Sequence, residues 1–215
     1  MRARPITLES PLAPLSPASL PLALPGQRIG LLGGSFDPAH EGHRHITLWA
    51  MRAFRLQRVW WLVSPGNPLK TRGPASMPAR MAAARRLMTH PDVIVTDLEA
   101  ALQTRYTADT LERVTGRYPG VRFVWLMGAD NLAGVHGWER WAWIFENVPV
   151  GVLARPGEQL RAGLSPAAQR FGRWRLAPGQ AGVLAARQAP AWALLTGAMS
   201  PASSTAIRRG GAWPS

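Results

Sequence analysis

Along the chain, short unbroken apolar runs alternate with longer stretches of helical spacing. Residues 29–32 are apolar and end at Gly33-Gly34, which predicts a buried strand feeding a tight turn. Residues 42–55 then place Ile46, Trp49, Ala50 and Ala53 on one helical face. A second buried strand over 59–63 closes at Ser64-Pro65-Gly66-Asn67-Pro68. The pattern goes on to predict a helix over 77–89, a strand over 93–95, and a helix over 107–118 that opens near Thr107. After it come a strand over 121–127, a short helix over 138–146, and a strand over 150–154 that ends at Arg155-Pro156-Gly157. A less regular stretch leads to a last strand over 192–195, just before a Ser/Thr cluster. Strands alternating with helices at this spacing predict an α/β fold. It is a Rossmann-like, doubly wound parallel sheet in a single domain, with crossover helices on both faces.

Residues 1–26 stand apart, with Pro5, Pro11, Pro14, Pro17, Pro21 and Pro25 among Leu, Ala and Ser. Prolines at that spacing interrupt any apolar helix of signal-peptide length. The stretch reads as a disordered extension, or as the product of an upstream start codon, and the domain itself as residues 27–215. The chain of 215 residues can bury a core. It has no cysteine, which excludes disulfides, thiolate metal sites and cysteine nucleophiles and suits a reducing cytoplasm. No run approaches the ~18 apolar residues of a membrane span. Net charge is +13, and Lys70 is the only lysine among 25 basic residues. The arginines are scattered rather than gathered in one tract. Phosphate-rich small molecules suit such a surface without requiring a nucleic acid.

Ligands of doubly wound sheets sit outside the carboxyl ends of the strands. After the first strand comes Gly33-Gly34-Ser35-Phe36-Asp37-Pro38-Ala39-His40-Glu41-Gly42-His43. Two glycines permit close backbone approach, and a helix N-terminus adds unpaired amides and partial positive charge. Two histidines three residues apart complete a phosphate cradle. A zinc pair would want a third protein ligand, for which His45, His90 and His136 offer no obvious spacing, so no metal site is assigned. Two capping histidines remain the plainer alternative. Late in the chain, Ser203-Ser204-Thr205-Ala206-Ile207-Arg208 offers hydroxyl caps and a guanidinium.

Together these two elements resemble the nucleotidyltransferase superfamily, with its His-x-Gly-His and Ser-Thr-x-x-Arg-like signatures. The likeness narrows through Pro65-Gly66-Asn67-Pro68-Leu69-Lys70, Tyr106-Thr107-Ala108-Asp109-Thr110-Leu111 and Met127-Gly128-Ala129-Asp130-Asn131-Leu132 with Trp138. In that order, across about residues 28–209, the chain resembles the bacterial nicotinate-nucleotide adenylyltransferases. The resemblance implies transfer of AMP from ATP, carried with Mg²⁺, to nicotinate mononucleotide, giving deamido-NAD and pyrophosphate. It implies His40, His43 and Arg208 as catalytic groups. Gly33, Gly34, Ser35, Phe36, Gly128, Asp130, Arg155, Ser204 and Thr205 would bind ATP. Lys70, Thr107, Trp138 and Glu139 would bind nicotinate mononucleotide, with Trp138 against the ring and amides near Thr107 and Glu139 on its carboxylate. Nicotinamide mononucleotide or phosphopantetheine as acceptor, and a basic nucleic-acid-binding module, are the alternatives. Trp49, Trp60, Trp61, Trp125 and Trp192 read as core. The resemblance also implies a closing helix after Arg208 that this sequence lacks, which leaves the oligomeric state open.

Overall fold

The computed structural model describes residues 20–66, 74–155, 157–197, 204–209 and 213. Among them, seven parallel strands form one sheet in the order β3-β2-β1-β4-β5-β7-β6. These are β1 (Arg28–Gly34), β2 (Arg58–Val63), β3 (Val93–Thr96), β4 (Arg122–Gly128), β5 (Val150–Ala154), β6 (Arg175–Leu176) and β7 (Trp192–Thr196). The apolar runs are continuous because both faces of the sheet are covered. Successive side chains of one strand enter opposite cores. Leu31 and Trp60 lie with Leu111, Phe123 and Trp125 on one face. Leu32 and Trp61 lie with Phe36, Ile46 and Ala50 on the other. Trp60, Trp61, Trp125 and Trp192 are buried as expected, and Trp49 is half-buried.

The helices are α1 (Glu41–Ala53), α2 (Met77–Leu87), α3 (Leu98–Ala101), α4 (Thr107–Arg117), α5 (Ala129–Gly134), α6 (Trp141–Asn147), α7 (Gln159–Gly163), α8 (Pro166–Arg170) and α9 (Ser204–Arg209). Two differences from the sequence reading matter. The helix expected from 138 begins only at Trp141, because its N-cap Arg140 is left-handed, at φ 50°. Trp138 is thereby left in extended backbone rather than on a helix face. The two-residue edge strand β6 is too short to leave a periodic signal, and it pairs only through Arg175 and Leu176. Residues 20–26, the end of the proline-rich segment, lie against the domain: the Gly26 amide donates to the Gly120 carbonyl and the Tyr118 hydroxyl to the Pro21 carbonyl. No helix among the described residues is long and apolar enough to cross a membrane.

Register aligns the carboxyl ends of the strands, with Gly34 beside Val63 and Gly128 beside Leu153. Strand order reverses about β1, which runs between β2 and β4, so a crevice opens there. One buried side chain fixes the loops that frame it. Arg80, on α2, is only 1% exposed. Its Nε donates to the Ala75 carbonyl at 2.8 Å, and its Nη1 donates to the Ser35 carbonyl at 2.6 Å and the Ser64 carbonyl at 2.8 Å. The guanidinium therefore ties the turn after β1 to the turn after β2 and to the start of α2. A planar fork can do this with fixed geometry, whereas a lysine ammonium on a flexible stem cannot.

Arg80→Met leaves three carbonyls without their donor and should cost roughly 3–5 kcal/mol of stability, with Arg80→Lys intermediate. Urea unfolding of the three proteins checks this. Equal midpoints would show that the three loops hold their places without the guanidinium.

Candidate active site

The turn after β1 leads directly into α1, whose first residues carry both motif histidines. His40 is the N-cap, in extended backbone, and its Nδ1 accepts the Gly42 amide at 3.1 Å. His43 Nδ1 accepts the His40 amide at 3.2 Å. The two rings thus make a reciprocal cap, the imidazole counterpart of the hydroxyl–carboxylate capping box. A neutral imidazole that accepts at Nδ1 carries its proton on Nε2, and an imidazolium cannot accept at all. Both rings are therefore neutral Nε2–H donors. The electrostatics agree: burial and the neighbouring His40 ring lower the His43 pKa to about 3. Burial and the nearby Arg155 guanidinium lower that of His40. Capping and phosphate donation, alternatives in the sequence, use opposite nitrogens of the same rings.

His43 is held from behind. Its ring lies 4.7 Å from that of Phe36, which stacks on Trp61. The Trp61 indole donates to Thr47 Oγ1 at 2.7 Å, and that hydroxyl donates to the His43 carbonyl at 2.7 Å. Phe36 is 1% exposed, and its side chain packs against His43. Gly33 has a steric reason: a Cβ there would lie 2.4 Å from the Trp125 ring. Gly128 has another, since its Cβ would meet an Asp130 carboxylate oxygen at 2.5 Å.

The late motif reaches the same place. Ser204 Oγ donates to the Pro38 carbonyl at 2.9 Å, and Arg208 donates to the Asp37 carbonyl and pairs with its carboxylate at 3.6 Å. Asp37 also accepts the Ala75 amide and, at 2.7 Å, the Trp213 indole N–H. One nearly buried carboxylate thus gathers the segment that leads into α2, α9 and Trp213 onto the turn that precedes the histidines. Thr205 lies on α9, but its side chain is outside the described residues.

Beside the cradle lies a cavity of about 630 Å³. Gly33, Gly34 and Ser35 form one wall, and Thr107, Trp138 and Glu139 another. Trp138 is half-buried and Glu139 exposed. The amino end of α4 opens onto this space, and its N-cap Tyr106 makes no side-chain capping bond, which leaves first-turn amides for a carboxylate. Arg140 fastens the Trp138 loop to α4 through Asp109 at 2.9 Å and Glu112 at 2.8 Å. Asp130 is exposed and is not part of this wall, although its neighbour Asn131 is. Lys70 lies outside the described residues.

Four residues that frame or line the site were not singled out by the sequence reading: Asp37, Arg80, Glu99 and Trp213. Asp37 sits inside the glycine–histidine motif, but its work is three-dimensional. Glu99 had a usable signal, an acid within an apolar stretch directly after a strand's carboxyl end. Arg80 and Trp213 had none, because each acts on residues distant in sequence.

Asp37→Ala should free α9 and the Trp213 segment, so trypsin should cut at Arg208 and Arg209 about 5-fold faster or more. A cleavage rate equal to that of the parent would mean that other contacts hold the segment.

Comparison with known proteins gives the chain its family. The cytidylyltransferase-like family matches residues 31–210. A probable nicotinate-nucleotide adenylyltransferase of Cereibacter sphaeroides (strain ATCC 17025) is 63% identical over 86% of this chain and 98% of its own length. A protein of the same description from Roseobacter denitrificans is 58% identical over 90% of this chain and 97% of its own. The fold is shared with nicotinic acid mononucleotide adenylyltransferase of Plasmodium falciparum solved with NaAD. That likeness has a TM-score of 0.61 at 15% identity and covers 85% of this chain and 83% of that one. The chain belongs to the nicotinate-nucleotide adenylyltransferases of the cytidylyltransferase-like family.

Proposed function

We infer that the protein transfers AMP from ATP to nicotinate mononucleotide, forming deamido-NAD and releasing pyrophosphate. The observation that carries this is the pair of Nε2–H donors fixed by the α1 cap at the mouth of a cavity walled by Trp138 and Thr107. A phosphate oxygen of the acceptor attacks the α-phosphorus of ATP, the bond to the β-phosphate breaks, and pyrophosphate departs. No side-chain base is required, because a phosphate monoester with a second pKa of ~6 is already largely ionised at neutral pH. Holding two anions in line and stabilising charge on the transferring group is the work left to the protein.

His40 and His43 donate to the ATP phosphates as neutral hydrogen-bond donors. They release no proton in the reaction and need none returned. Arg208 and Ser204 meet the β- and γ-phosphates from α9, with Thr205 beside them. Arg155 adds positive charge near His40. Gly33, Gly34, Ser35, Gly128 and Asp130 line the path of the nucleotide through backbone approach and a ribose contact. Mg²⁺ accompanies the triphosphate and lowers the charge that these donors face. Phosphate oxygens and water would supply its ligands, as suits a cation that arrives with its triphosphate. For the acceptor, Trp138 offers its ring face and the amino end of α4 its amides. Glu139 contributes backbone, and Lys70 a cation for the phosphate. Amide donors favour the carboxylate of nicotinate over a carboxamide.

Pyrophosphate release from ATP and Mg²⁺ should be fast with nicotinate mononucleotide, slower with nicotinamide mononucleotide and absent with phosphopantetheine. Trp138→Ala should raise KM for the pyridine substrate at least ~10-fold and leave KM for ATP nearly unchanged. Equal rates with the acid and the amide would remove the carboxylate pocket from the account. An unchanged acceptor KM in the variant would place the ring elsewhere.

A further inference from the structure

One buried acid on the acceptor cavity has no role in the reaction just described. Glu99, on the short helix α3 that follows β3, is 8% exposed, and it lines the same cavity as Thr107, Trp138 and Asn131. Its backbone is well used: the carbonyl accepts both the amide and the hydroxyl of Thr104. Its carboxyl group, by contrast, has no hydrogen bond or ion pair among the described residues. Among the described residues, Arg105 and Glu139 are the other charged side chains on the cavity wall, and both are exposed. Burial pushes the Glu99 pKa up to about 7. An acid on a cavity wall with no partner among the described residues is costly to keep charged, unless a partner arrives with the ligand.

The acceptor of the proposed reaction supplies such a partner. In nicotinate mononucleotide the ring nitrogen is bonded to ribose C1′, so the ring is a pyridinium with a fixed positive charge at every pH. Its own carboxylate and phosphate are anions that Glu99 repels, and the assignment above gives them to the α4 amides and to Lys70. Of the acceptor's charged groups, the ring nitrogen alone attracts an acid. We propose that the Glu99 carboxylate is the counter-ion of the acceptor's pyridinium nitrogen, so that this cavity selects a positively charged ring. The proposal rests on the acceptor assignment above and deepens it. Trp138 reads the ring's face, the amino end of α4 reads the substituent, and Glu99 reads the charge. Acid and amide nucleotides carry the same ring charge, so Glu99 leaves the choice between them to α4. It rejects instead ligands of the same shape with a neutral ring.

Calorimetric binding of two ligands tests this in the parent and in Glu99→Gln. One is nicotinate mononucleotide. The other is the C-riboside 5′-phosphate of a 3-carboxyphenyl ring, which keeps carboxylate, ribose and phosphate but has no ring charge. The parent should bind the charged ring at least ~10-fold more tightly. In Glu99→Gln the two should bind within about 3-fold of each other, the loss falling on nicotinate mononucleotide, with ATP affinity unchanged. A merely structural Glu99 would weaken both ligands equally and leave their ratio intact, which would overturn the proposal. Thermal unfolding of Glu99→Gln serves as the fold control. Above pH 7 the ionised acid burdens the ligand-free fold, so the variant should unfold no earlier than the parent. The parent's own preference is a test that needs no variant: equal affinity for the two ligands would also overturn the proposal. A parent that binds neither ligand and makes no dinucleotide would instead overturn the acceptor assignment, and the proposal with it.

Discussion

Everything the site does depends on how the first turn of α1 is capped. The amides of Gly42 and His40 are satisfied by the Nδ1 atoms of His40 and His43, and not by hydroxyl or carboxylate oxygens. This choice has two consequences at once. The helix gains its cap, and each imidazole is locked as the tautomer that bears its proton on Nε2. An acidic cap would satisfy the same amides but would place negative charge where the proposed reaction puts phosphates. Two cationic imidazolium rings would attract phosphate but could not cap. Neutral rings do both, and burial together with the charge of Arg155 and the mutual proximity of the rings keeps them neutral.

Such a cap is useful only if the turn before it stays in place, and the surrounding structure is organised to that end. Arg80 ties the Ser35 turn to the Ser64 turn, and Asp37 receives α9 and Trp213 on the same turn. Phe36 and Trp61 wall in the His43 ring from the core side. Phosphoryl transfer of this kind rewards positioning more than side-chain chemistry, so a rigid frame of donors is the main thing the fold must provide. The sheet does so by ending β1, β2, β4 and β5 at one level, which sets the cradle and the acceptor cavity side by side.

Much of this was legible in the linear chain. Parallel strands buried on both faces read as plain apolar runs, so six of the seven strands could be placed from pattern alone, whereas β6 spans two residues and has no pattern to show. The motif histidines, the Ser204–Arg208 element and Trp138 declared themselves through local residue types beside predicted turns. Arg80 did not, because an arginine in an arginine-rich helix looks like a solvated residue until its three carbonyls are brought to it by folding. The late start of α6 was equally hidden: it follows from Arg140 turning left-handed and reaching across to Asp109 and Glu112, a contact between segments about thirty residues apart. Sequence pattern reports what a residue's neighbours in the chain require, and these residues answer to neighbours in space.

The cap is the claim on which the rest stands, and imidazole nitrogen NMR tests it most directly. In ¹⁵N-labelled protein at pH 7, with His40→Gln and His43→Gln used for assignment, both rings should appear neutral with the proton on Nε2. Addition of a non-hydrolysable ATP analogue with Mg²⁺ should move the Nε2 resonances and leave both Nδ1 atoms unprotonated. A proton on Nδ1 of either ring in the ligand-free protein, as the other tautomer or as imidazolium, would contradict the account.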